Sequence, residues 1–170
     1  LYYYLSLCDA VGNLQSSFEY TANLPLRTVA MGYDAIDRLT SEQVTDSNGT
    51  VASATSYAYD AANNRIGKTA NGVVTTYSFN DTNELTGWTS TDAQSVSYGY
   101  DSNGNRLTRS AYGATDHYTY DAENRLVKLQ ISALNSAAYV LPGTHLYQYD
   151  YRTRRVSRTE VGYTTQMVFS

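Results

Sequence analysis

The sequence of 170 residues has one cysteine, two prolines and no excess of positive charge. One cysteine, Cys8, excludes an internal disulfide framework, and free cysteines are usually buried, so a buried structural role is expected for it. The net charge of −4 indicates no broad basic surface for nucleic acid. No apolar run approaches the about 20 residues that cross a membrane as a helix. Phenylalanine and tryptophan are scarce, but there are 18 tyrosines, which suit a thin wall with apolar rings and wet hydroxyl groups.

The tyrosines recur in one short phrase. It reads YAYDAANNRI from Tyr57, YGYDSNGNRL from Tyr98 and YTYDAENRL from Tyr118. Degraded copies begin at Tyr33, Tyr77 and Tyr147, and a seventh lies at 8–14. The Asp of each copy, or the Asn in its place, stands at 9, 34, 60, 80, 101, 121 and 150, so the intervals are 25, 26, 20, 21, 20 and 29 residues. A period near 20 with insertions is typical of a repeat protein.

Each copy predicts a β-hairpin. Two tyrosines separated by one residue point to the same face of a strand, and the Asp that follows opens a turn by accepting downstream amide hydrogens. Asn, Asp or Gly then supplies the left-handed backbone of a tight reversal, as at Asp37 and Asn64. An Arg and an aliphatic residue begin the return strand, and the Asp and Arg are expected to pair. The residues assigned to the motif are Tyr33, Asp34, Arg38, Tyr57, Tyr59, Asp60, Arg65, Tyr77, Tyr98, Tyr100, Asp101, Gly104, Asn105, Arg106, Tyr118, Tyr120, Asp121, Asn124, Arg125, Tyr147, Tyr149, Asp150 and Arg155.

The remaining segments predict further strands and turns. Strands are expected at 16–20 and 26–31, with a break near Pro25, and an extra strand at 137–141. Asn71-Gly72 is the clearest two-residue hairpin turn, and Gly113 and Asp116 are expected to form the turn before Tyr118. The apolar period is two and not 3.6, so no helix is predicted. Seven hairpins give about 14 strands.

The phrase YxYDxxGNRL resembles the YD repeat of the RHS (rearrangement hot spot) family, over about residues 5–160. Bacterial RHS toxins, the cocoon component of Tc toxins and the animal teneurins share this repeat. The resemblance implies an all-β, curved strip of antiparallel hairpins, a sector of a spiralling β-shell. In bacterial members the shell commonly encloses a C-terminal toxin, which implies a secreted or cell-surface bacterial protein. Its partners would be the rest of its own shell and an enclosed or attached polypeptide.

The copies at Cys8, Tyr33 and Tyr77 have lost parts of the motif, which predicts that these hairpins are distorted or lie at an irregular part of the strip. Ser6 and Cys8 replace the two tyrosines of the first copy, and Glu84 replaces the Arg of the fourth. The sequence begins and ends within strand-like runs, so residues 1–170 are expected to form a single YD-repeat region within a longer chain. The self-cleaving aspartate of the bacterial family belongs to a more C-terminal region, so no catalytic residue is assigned.

No motif for catalysis, a cofactor or a metal stands out. A calcium loop starting at Asp101 requires Gly at its sixth place and Glu at its twelfth, which are Arg106 and Tyr112 here. His117 and His145 are interpreted as surface or strand residues, because zinc needs three or four ligands. A non-enzymatic shell is therefore the leading hypothesis. The alternative is an adhesin or fibre module that binds carbohydrate or protein through its tyrosines. This alternative predicts glycan binding that is lost when exposed tyrosines such as Tyr112 or Tyr139 are replaced.

Overall fold

The computed structural model describes residues 2–21, 24–132, 142–160 and 163–167, and these form strands and turns without a helix. The chain divides into two compact units. The first comprises residues 1–77 and 90–92, and the second comprises residues 78–89 and 93–170. Within the described residues, no helix is long and apolar enough to cross a membrane.

The first unit is a meander of antiparallel strands. Its strands are β1 (Tyr2–Cys8), β2 (Leu14–Thr21), β3 (Leu24–Tyr33), β4 (Leu39–Asp46), β5 (Val51–Tyr59), β6 (Arg65–Ala70) and most of β7 (Val73–Phe79). Each strand pairs with the next one in sequence. Contacts therefore stay local in sequence, as in other repeat proteins.

The second unit has the same organisation. Its strands are β8 (Leu85–Ser90, apart from its last residue), β9 (Ser95–Tyr100), β10 (Arg106–Ala111), β11 (Ala114–Tyr120), β12 (Leu126–Ile131), β13 (Gly143–Tyr149), β14 (Arg155–Glu160) and β15 (Tyr163–Gln166). Again each strand pairs antiparallel with its neighbour in sequence. The predicted all-β array of antiparallel hairpins is confirmed.

Several local expectations need correction. Pro25 does not interrupt a strand: it lies near the start of β3, opposite Tyr20. The register shifts there, so the N–H group that proline lacks is not needed for strand pairing. Asp116 lies inside β11 and not in a turn, because Tyr112 and Gly113 alone make that reversal with φ of 51° and 77°. Cys8 is exposed and not buried; among the described strands, its strand β1 pairs with β2.

Two other expectations have different outcomes. Asn71 and Gly72 have φ of 49° and 86°, as a tight two-residue hairpin turn requires. The strand predicted at 137–141 lies outside the described residues. The described strands number 15, not about 14, because β15 follows the last hairpin.

The two faces of the strands differ in chemistry. In β5, Thr55, Tyr57 and Tyr59 are half-buried and alternate with exposed Ala54 and Ser56. The cross-strand register extends both rows. The row with the motif tyrosines, here called the tyrosine face, includes Glu42, Thr55, Tyr57, Lys68 and Thr75 in the first unit, and Tyr98, Arg109, Asp116, Tyr118, Leu129, His145, Tyr147 and Arg158 in the second.

The opposite row, from β3 onward, is here called the hydroxyl face. It includes Gly32, Ser41, Gln43, Ala54, Ser56, Thr69 and Thr76 in the first unit, and Ser97, Ser110, Thr115, Thr119, Gln130, Thr144, Gln148 and Ser157 in the second. Buried apolar side chains are few in the described chain. The fully buried ones, Val96, Ala111 and Leu129, all lie on the tyrosine face.

Gly87 tests how closely β8 and β9 approach. A Cβ atom at Gly87 would lie 2.6 Å from the carbonyl oxygen of Val96, which is backbone and has little freedom to move. We expect Gly87→Ala to destabilise the protein by about 1–3 kcal/mol through overpacking, measured by urea unfolding. Gly67→Ala is the matched control, since its Cβ would meet only the Ala58 side chain at 3.3 Å. Equal stability of the two variants would contradict the close approach.

Candidate functional site

The candidate site is the turn that closes each repeat, here called the repeat turn: five residues that begin at the motif Asp. In the copy at Asp34, carboxylate Oδ1 accepts hydrogen bonds from the N–H groups of Ile36 and Arg38, both at 3.0 Å. The Asp34 N–H in turn donates to the carbonyl oxygen of Arg38 at 3.0 Å. The same Oδ1 bonds to the third and fifth residues occur in the turns at Asp9, Asp60, Asn80, Asp101, Asp121 and Asp150.

The fourth residue of every repeat turn has a left-handed backbone. The residues are Gly12, Asp37, Asn63, Asn83, Gly104, Asn124 and Thr153, with φ between 58° and 99°. In the Tyr57 copy the left-handed residue is therefore Asn63 and not the predicted Asn64. Asn, Asp and Gly tolerate this region best, so their recurrence has a conformational cause. The turn at Asp46, in the loop between β4 and β5, has the same hydrogen bonds although no tyrosine pair precedes it.

The fifth residue binds the second carboxylate oxygen of the Asp. Where it is Arg, as in Arg38, Arg125 and Arg154, Nε donates to Oδ2 at 2.7–2.8 Å. Where it is Asn, as in Asn13, Asn64 and Asn105, the side-chain amide donates to Oδ2 at 2.9–3.1 Å.

The predicted Asp–Arg pair is thus present in some copies only. The motif residues Arg65, Arg106 and Arg155 stand sixth, one place beyond the turn, and they bind elsewhere.

The fourth copy reverses the polarity of this bond. Asn80 replaces the Asp, and its Nδ2 donates to Glu84 Oε2 at 2.6 Å, while Asn80 Oδ1 still accepts the N–H groups of Thr82 and Glu84. Amide and carboxylate have exchanged places, and the turn is unchanged. In this copy and in the first, where Asp9 makes the full set of bonds, the turn itself is not distorted.

The second tyrosine of a copy bonds to the preceding copy. The Tyr33 hydroxyl donates to the carbonyl oxygen of Leu14 at 3.0 Å, and the Tyr59 hydroxyl donates to that of Leu39 at 2.8 Å. Tyr100 and Tyr149 bond in the same way to Leu85 and Leu126. Each acceptor is the residue directly after the preceding repeat turn. The tyrosine therefore connects neighbouring hairpins in addition to their strand pairing.

Arginine side chains rest on tyrosine rings of the next copy. The guanidinium of Arg65 lies 4.9 Å from the ring centre of Tyr77, and that of Arg106 lies 4.5 Å from the ring centre of Tyr118. Arg38 and Arg125 lie over Tyr59 and Tyr149, and Arg155 lies over Tyr147 of its own copy. Such cation–π contacts contribute about 0.5–1 kcal/mol each at exposed sites.

Neighbouring turns also touch directly. Arg38 Nη1 donates to the carbonyl oxygen of Asp60 at 3.0 Å and to Asn63 Oδ1 at 2.8 Å. Nδ2 of Asn13 bonds to Asp37, and Nδ2 of Asn105 bonds to Asn124. Within each unit, the repeat turns therefore form a hydrogen-bonded row at one end of the strands, here called the turn ladder.

Charge in the turn ladder favours ionised aspartates. Hydrogen bonds from the Arg38 backbone amide lower the pKa of Asp34, and those from the Arg125 amide lower the pKa of Asp121; partial burial opposes both shifts. Side-chain amides of Asn64 and Asn105 are the first cause of the lowered pKa of Asp60 and Asp101. Burial raises the pKa of the Tyr100 and Tyr120 hydroxyl groups, so they remain donors.

The two histidines lie in strands. His117 is exposed in β11, whereas His145 in β13 is fully buried, with Nδ1 3.3 Å from Glu160 Oε1. Asp116 is also buried, and it pairs with Arg109 at 3.2 Å and accepts the Ser132 N–H at 2.9 Å. No spacing in the sequence distinguished Asp116 or His145 as buried. Among the described residues, no three His, Cys, Asp or Glu side chains come together as a metal site.

Comparison with known proteins agrees with this geometry. A family model described as RHS Repeat matches residues 33–70, the copies that begin at Tyr33 and Tyr57. No curated protein matches the chain. The fold is similar to the crystal structure of TcdB2-TccC3-Cdc42, with a TM-score of 0.71 and 21% identity over 97% of this chain and 9% of that chain.

Two more solved structures are similar. One is a TccC3 mutant of the Photorhabdus luminescens Tc holotoxin pore, with a TM-score of 0.71 and 23% identity over 96% of this chain and 9% of that chain. The other is TcdB2-TccC3 without its hypervariable C-terminal region, with a TM-score of 0.71 and 22% identity over 97% of this chain and 10% of that chain. The chain thus spans about a tenth of these proteins.

The polarity exchange at Asn80 and Glu84 can be tested in another copy. Asn64→Glu places a second carboxylate where an amide now lies 3.0 Å from Asp60 Oδ2, so we expect it to lower Tm by about 3–6 °C. Adding Asp60→Asn recreates the amide–carboxylate bond of the fourth copy and is expected to restore most of the loss. Thermal unfolding of the two single variants and the double variant completes a double-mutant cycle. Additive changes in Tm would contradict the exchange of amide and carboxylate.

The lowered aspartate pKa values predict acid sensitivity. Because the folded pKa of Asp34 and Asp121 lies below the ordinary value of 3.8, the unfolded chain binds more protons as the pH falls. Stability is therefore fully present above that value and is lost below it: we expect Tm to be level above about pH 5 and to fall below about pH 4. The control, Asp34→Asn with Asp121→Asn, should flatten the acid limb of Tm against pH, and an identical limb would contradict the assignment.

Proposed function

We propose that the chain is a segment of an RHS/YD-repeat β-shell that encloses or presents another polypeptide; the RHS Repeat match over residues 33–70 and the similar folds support this. The turn ladder carries this proposal. Within each unit, bonds between turns connect neighbouring repeats, as between Arg38 and the Asp60 turn, or Asn105 and Asn124. Units that bury their surfaces mainly against neighbours build extended walls and not globular cores.

The similar structures support an attached cargo. One contains TcdB2-TccC3 with Cdc42, and another contains TcdB2-TccC3 without a hypervariable C-terminal region. By analogy, the rest of this protein's own shell and a cargo polypeptide, such as a toxin, are its partners. We place it outside the cell, as a secreted protein of a bacterium, and assign it a structural role and not a catalytic one.

The adhesin alternative has weaker support. It requires motif tyrosines that are available to a glycan or a protein. Yet the hydroxyl groups of Tyr33, Tyr59, Tyr100 and Tyr149 donate to backbone carbonyl groups of neighbouring repeats. The rings of Tyr77 and Tyr118 are covered by arginine side chains. These contacts are internal to the sheet, so the motif is explained by assembly of the wall.

The mass and protease resistance of the natural protein test the shell. We expect an intact mass many times the 18.8 kDa of this chain, because about 15 strands spaced about 4.8 Å apart cannot wind a closed shell. We further expect a second polypeptide that resists protease until the protein is denatured. A mass near 18.8 kDa, or a cargo digested as fast in the native protein as in the denatured one, would overturn the proposal.

A further inference from the structure

Charge is segregated between the two faces. On the strands from β3 onward, the charged residues Arg27, Glu42, Asp46, Arg65, Lys68, Arg106, Arg109, Asp116, Arg155, Arg158 and Glu160 lie on the tyrosine face. Within the described strands, Lys128 is the one Lys, Arg, Asp or Glu on the hydroxyl face, opposite Thr119. The hydroxyl face instead consists mainly of Ser, Thr, Gly, Ala and Gln, and most of it is exposed.

The second unit has a depression of about 530 Å³ over β8–β11. Its lining includes Ser78, Thr89, Ser95, Ser97, Ser110 and Thr115, which the strand alternation and register place on the hydroxyl face. No charged side chain lines the depression.

We infer that the hydroxyl face is the surface turned toward the enclosed polypeptide. This rests on the proposed function. Apart from Lys128, the described strands place no Lys, Arg, Asp or Glu side chain on this face. The enclosed polypeptide is held next to this face without fixed contacts. A surface of short neutral side chains suits such a polypeptide, because these side chains stay hydrated.

The tyrosine face would serve such an occupant poorly. Its guanidinium and carboxylate groups would attract oppositely charged segments of the cargo. The side chains of this face are instead used to connect repeats: Arg65 and Arg106 cover tyrosine rings, and Arg38 bonds to the next turn. The two faces thus have separate tasks.

Val73 and Val74 provide a matched pair for the test. They are neighbours on β7, and their exposed fractions are similar, 37% and 41%. Val74 lies opposite Thr69 on the hydroxyl face, and Val73 lies opposite Ala70 on the tyrosine face. In the whole natural protein that contains these residues, with Cys8→Ser as background, the variants Val73→Cys and Val74→Cys are treated with a maleimide on a polymer too large to enter a closed shell. Ser97→Cys repeats the test in the second unit.

We expect Val74→Cys and Ser97→Cys to react at least about ten times more slowly than Val73→Cys, as sites that open only rarely do, and all to react equally after denaturation. A benzophenone attached to Val74→Cys should then crosslink to the cargo. If Val73→Cys is the protected variant, the face assignment is overturned while the shell stands. If Val73→Cys and Val74→Cys react equally, the face assignment is also overturned. If both react fast, the proposal of an enclosing shell is overturned as well.

Discussion

The structure depends on one carboxylate that closes a five-residue turn. An Asp such as Asp34 accepts two backbone N–H groups that would otherwise lack partners in the tight reversal. This bond sets where the outgoing strand ends and where the return strand begins. A register shift adjoins the turn: Gly32 pairs with Ser41, whereas Tyr33, the residue directly before Asp34, pairs with Leu39. Every other contact of the motif is built on that register.

The remaining stability is distributed between neighbours and not concentrated in a dry core. In the described chain only Val96, Ala111 and Leu129 are fully buried apolar residues. Tyrosine takes over the part that aliphatic residues play elsewhere, because its ring covers apolar surface and its hydroxyl group satisfies a backbone carbonyl. A wall built this way can have water on both sides, and a wall around a hydrated interior requires that.

The sequence predicts the fold well and the details of the turn less well. Period-two alternation and the recurring YxYD phrase are local signals, so hairpins and their order follow from them. The side chain that binds the Asp does not follow from these signals. Arg125 is the fifth residue of its turn and binds the Asp, whereas Arg106 stands sixth and lies over a tyrosine ring. In the sequence both arginines follow Asn and precede Leu. The buried positions of Asp116 and His145 depend on how distant strands are covered, which no local pattern encodes.

The degraded copies explain what the repeat actually requires. At the fourth copy the Asp has become Asn and the fifth residue has become Glu, yet the donor and the acceptor still face each other at 2.6 Å. Compared with an Asp–Arg copy, the Asn alone would oppose two donors, and the Glu alone would oppose two carboxylates. What recurs along the chain is therefore a hydrogen-bond geometry and not a fixed set of letters. A segment can drift far from YxYDxxGNRL and still form its place in the wall, provided that the fifth residue of the turn still bonds to the side chain of the first.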